Sequence, residues 1–168
     1  MRILQKKIRL CVIFVIVICI FLFVLVQCYH QNQIRKEYLS AGIYEIEGTF
    51  TYVMLDNSLF TYYMICEPPS ESDELVKVVL QYIEEQSIVK QFQDRTPEYD
   101  ADCIDLSFVK PSKSFPIGWN SGDSTGLLGT KKLIDYLLIN VRIPKTAQSQ
   151  HEYQIILVEN GIPRIISS

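Results

Sequence analysis

Hydrophobic and polar positions alternate in three different ways along this chain, and each way predicts a different kind of element. Residues 10–26 read LCVIFVIVICIFLFVLV, seventeen positions without a charge, a Pro or a Gly. At about 1.5 Å per residue such a helix is about 25 Å long, the short end of what crosses a hydrocarbon core. Ile8 and the stems of Lys7 and Arg9 extend it. Residues 27–42 are polar with scattered apolar positions and read as a juxtamembrane stalk that continues the helix.

After the stalk the period changes to two, the mark of half-buried strands. Tyr44, Ile46, Gly48, Phe50, Tyr52 and Met54 fall on one face of a first strand, opposite Glu45, Glu47, Thr49 and Thr51. A turn at Asp56, Asn57 and Ser58 leads into the apolar run LFTYYMIC at 59–66, predicting a hairpin whose second strand is the more central. Pro68 and Pro69 stop the sheet. Ser70 and Asp73 form a capping box for an amphipathic helix over about 71–86, with Phe92 as an alternative end, and with Leu75, Val76, Val79, Leu80 and Ile83 on one side.

Alternation returns at Ile104, Leu106 and Phe108, again at Ile139, Val141 and Ile143, and again at Tyr153, Ile155 and Leu157. Asn160 and Gly161 predict a type I′ hairpin turn, and Pro163 assigns the returning strand to an edge. The predicted fold class is α+β: a single N-terminal transmembrane helix, then one domain with a mainly antiparallel sheet of five to seven strands and one amphipathic helix packed on it. The boundaries are a basic N-terminus at 1–9, an anchor at 10–26, a stalk at 27–42 and the α+β domain at 43–168.

The leader has three readings. A cleaved secretory signal calls for a shorter apolar run and a small-x-small site close behind it, whereas Gln27, Cys28, Tyr29 and His30 follow here. Lipid modification of Cys28 calls for a small residue before it, and Gln27 is bulky. An uncleaved signal-anchor is therefore expected. Arg2, Lys6, Lys7 and Arg9 precede the helix, against Arg35 and Lys36 soon after it, which predicts a cytoplasmic N-terminus and an extracytoplasmic domain in the cell membrane.

Charge narrows the partners. The 168 residues sum to −3, but without those four leading bases 12 basic stand against 19 acidic residues. No basic surface remains for nucleic acid. The span carries no ionisable group and no GxxxG pair, so it predicts an anchor rather than a transport path or a tight helix dimer.

Candidate chemistry is sparse, and no motif ties the chain to a family. Gly122, Asp123, Ser124, Thr125 and Gly126 match GxSxG, and Asp135 and His151 follow in the order of a Ser, acid, His triad. That pattern also superficially resembles the GDSGG of chymotrypsin-like proteases, departing from it at Thr125. A nucleophile elbow sits between a strand, here 115–119, and a helix inside a large parallel sheet. After Ser124 only 44 residues remain, and 137–143 alternates as a strand. A Gly- and Ser-rich loop is the expected reading, with Ser124, His151 and Asp135 the weak candidates for a small serine hydrolase. Gly129, Thr130 and Lys131 lack the glycine spacing of a P-loop. Glu98, Asp100, Asp102 and Asp105 lack an EF-hand pattern and read as a solvated acidic loop. No metal and no cofactor is expected.

Cys66 and Cys103 end one predicted strand and begin the next. A disulfide between them would close a 37-residue loop and contribute about 4 kcal/mol in an oxidising compartment. The tyrosines of the first hairpin, Tyr44, Tyr52, Tyr62 and Tyr63, read as core rather than as a ligand-binding strip. The function expected is a membrane-anchored module that binds an unidentified protein, peptide or glycan, or supports an envelope assembly, without catalysis. A secreted binding domain with a cleaved leader is the other alternative.

Overall fold

The computed structural model describes residues 2–46, 49–53, 56–95, 101–113, 115–119, 134–159 and 161–167. The chain divides into two units, Met1–Glu37 and Tyr38–Ser168. The first is helical throughout its described length and belongs to α1, Arg2–Ala41, which continues through the segment expected as a stalk. The part of it spanning Ile13–Ala41 is long and apolar enough to cross a membrane, and none of its apolar window is buried.

In the second unit Gly42 ends α1 in the left-handed conformation, φ +73°, where a side chain would be strained. Seven strands follow: β1 (Ile43–Glu45), β2 (Thr51–Val53), β3 (Ser58–Ile65), β4 (Cys103–Val109), β5 (Leu137–Pro144), β6 (Gln154–Glu159) and β7 (Ile162–Ser167). They form one sheet in the order β1-β3-β4-β5-β6-β7, with β2 also paired to β3. Between β3 and β4 lie α2 (Ser72–Glu85) and α3 (Ile88–Arg95). The class is α+β and the sheet mostly antiparallel, as the alternation predicts.

Four details differ from the sequence expectation. First, β3 and β4 are parallel, with Ser58 opposite Cys103 and Met64 opposite Val109. The helical connection makes this possible, since a crossover returns the chain to the starting end of the sheet.

Second, the predicted first strand is two strands. β1 sets Glu45 opposite Tyr63 while β2 sets Thr51 opposite Phe60, so the register slips by three residues between them. An odd slip exchanges the faces. Tyr44 and Ile46 enter one apolar cluster, while Phe50 and Tyr52 pack against the other.

Third, the amphipathic helix breaks at Gln86 and Ser87, where Ser87 takes φ +49°. Fourth, Glu71 rather than Ser70 is the N-cap of α2, and it makes no side-chain capping bond. The Ser72 hydroxyl instead donates to the Glu159 carboxylate on β6.

Two clusters cover the two sheet faces. On one, Leu75, Val79 and Ile83 of α2 with Ile88 and Phe92 of α3 pack on the inward residues of β3 to β6, among them Leu106, Phe108, Val141 and Leu157. On the other, Tyr44, Ile46, Tyr62, Met64 and Val109 are closed over by Phe115 and Trp119. The 115–119 segment is therefore a covering turn and not a strand. Its backbone is tied down where the Gly118 amide donates to the Tyr44 hydroxyl at 2.8 Å.

Candidate functional site

The polar stripe of α2, the break at Ser87 and the loop between β5 and β6 converge on a groove of about 790 Å³. Leu80, Ile83 and Val89 supply an apolar floor. Ala147 to His151 form the facing wall, part of it the 3₁₀ turn Gln150–Glu152. Gln150 donates to Glu84 at 3.1 Å, joining wall to helix.

Glu84 and Lys90 bring opposite charges to the lining, His151 an imidazole, and Gln93, Gln148 and Gln150 bring amides. Burial, then the nearby carboxylates of Glu84 and Glu152, push the Tyr153 hydroxyl above its ordinary pKa, so it remains a neutral donor. The groove offers hydrogen bonds of both kinds over an apolar base, suited to holding a ligand by contact. Among its residues only His151 was a sequence candidate for chemistry, whereas Leu80, Ile83 and Tyr153 were read as packing positions. Glu84 and Lys90 gave no local signal, because they meet the facing loop only once the chain returns across the sheet.

The triad candidates are not assembled here. Ser124 lies outside the described residues. Asp135 is exposed in the 3₁₀ turn Ile134–Tyr136 that precedes β5, whereas His151 is exposed just before β6. β6 begins with Gln154 opposite Arg142, near the far end of β5. Asp135 and His151 thus stand at opposite ends of that strand pair, about 20 Å apart at about 3.3 Å per residue. A base and its orienting acid need hydrogen-bond reach.

The cysteine pair is likewise apart, and both thiols are free. Cys103 lies opposite Ser58 at one end of β3, and Cys66 follows the other end. Parallel pairing separates them by about 26 Å at about 3.3 Å per residue, where a disulfide needs Cα atoms within about 7 Å. The bond was one of two sequence readings, the other being two buried thiols, and it assumed antiparallel neighbouring strands. Cys66 is buried, donates to the Tyr38 carbonyl at 3.3 Å, and has its pKa raised by burial and by Glu67.

Other polar groups are committed within the fold. Arg142 grips Asp105 through both carboxylate oxygens, at 2.9–3.2 Å, and this bonding raises the Arg142 pKa. Asn140 donates to Ser107 at 3.0 Å two pairs along the same ladder, and Asn57 donates to Asp102 at 2.8 Å. Glu98 and Asp100 lie outside the described residues. Among the described residues no group of three His, Cys, Asp or Glu side chains is placed to share a metal ion.

Of the hairpin tyrosines, Tyr44, Tyr62 and Tyr63 are buried. Tyr52 is half-buried, its hydroxyl donating to Asn57. No protein-family model, curated protein or solved structure matches this chain.

Proposed function

We propose that this chain is a single-pass membrane protein with a cytoplasmic N-terminus, whose extracytoplasmic α+β domain binds a protein, peptide or glycan, or supports an envelope assembly, without catalysis. The observation that carries it is the nakedness of α1. Phe14, Phe21 and Phe23 are 62–66% exposed, and none of the span's apolar window is buried. A surface of that kind needs lipid around it. The excess of Lys and Arg before the span supports the orientation. The mixed groove beside Glu84 and Tyr153 supports a binding role, and the separation of Asp135 from His151 weighs against the hydrolase.

Protease added to intact cells tests the placement. A C-terminal tag should be digested from outside while an N-terminal tag survives, and the chain should stay in the membrane pellet after alkaline carbonate extraction. Digestion of the C-terminal tag only after lysis overturns the orientation. A mature chain that begins near residue 30 overturns the anchor in favour of a cleaved leader. Proximity labelling from the outward face then identifies the partner.

A further inference from the structure

We draw no further inference here: the strongest candidate, the outer edge of β7 with its exposed Ile162 and Ile165, carries nothing because nothing in the structure shows what covers it.

Discussion

Thr49 occupies the gap left where β1 and β2 fall out of register. Its hydroxyl donates to the Ile46 carbonyl at 2.7 Å and accepts from the Tyr62 amide at 3.1 Å, so one side chain does the work of a missing strand residue. Thr49 is 3% exposed, and water cannot take over either bond. Thr49→Val keeps the shape and removes both bonds, and should lower stability by about 1–3 kcal/mol, while Thr49→Ser loses much less. Denaturant titration of the full chain in micelles, followed by the fluorescence of the single Trp, Trp119, measures the difference. Tyr44 and Tyr82 titrate at the same scale. Burial pushes each phenol up to about 12, Tyr44 despite the amide of Gly118 that favours its ionised form, and Tyr82 with help from Glu45. An acid whose folded pKa lies above its unfolded value of about 10 keeps its proton longer in the native state. Its stabilising contribution is complete below pH 10 and is lost as pH rises to 12. Unfolding should therefore set in across that window, with phenolate absorbance at 295 nm rising together with loss of the Trp119 signal rather than before it.

The ladder of β4 and β5 and the break between α2 and α3 set what the elements contribute. Asp105 and Arg142 face each other across the ladder, with the carboxylate 11% exposed and the guanidinium 38%. A double-mutant cycle through Asp105→Ala and Arg142→Ala should return a coupling of about 1–2 kcal/mol, above the 0.2–1 kcal/mol of fully exposed pairs. A coupling near zero would mean the pair is solvated. At the helix break, Ser87 holds φ +49°, a conformation that costs a side-chain-bearing residue about 1 kcal/mol. Ser87→Gly should raise stability by about 0.5–1 kcal/mol and Ser87→Val lower it, in the same fluorescence titration. The helix end near Gln86 was legible in sequence, but the second helix beyond it and the slip between β1 and β2 were not. Ser is a weak helix breaker, and the apolar spacing runs on through Ile88 and Phe92. An odd slip in an edge strand leaves the local alternation of 44–54 intact while reversing which face each half serves. By contrast β5, β6 and the antiparallel β6–β7 pairing were legible, because the alternation is uninterrupted from Ile139 to Ile143 and from Tyr153 to Leu157; Asn160 lies outside the described residues. Strand direction was the remaining gap: LFTYYMIC carries no sign of whether its neighbour runs parallel, and the long helical connection to Cys103 was the available clue.

At the scale of the whole molecule the proposed anchoring assigns the two units to different solvents, and this separates them experimentally. The sheet domain covers both faces with its own side chains, Leu106 and Phe108 on one and Met64 and Val109 on the other, all fully buried. None of the apolar window of α1 is buried. Stability of the domain and retention in lipid should therefore respond to different substitutions. Ile16→Lys with Ile20→Lys places two charges in the middle of the apolar run, at about 2.5–3.5 kcal/mol each on an insertion scale, enough to reverse partitioning of a seventeen-residue segment at the short end of spanning length. The doubly substituted chain should leave the membrane pellet on carbonate extraction while the cooperative unfolding reported by Trp119 stays within about 0.5 kcal/mol of the parent, as for any substitution remote from a core. Loss of both together would mean that α1 is part of the domain's core. Retention in the pellet with both lysines present would mean that something other than the apolar run holds the protein to the membrane.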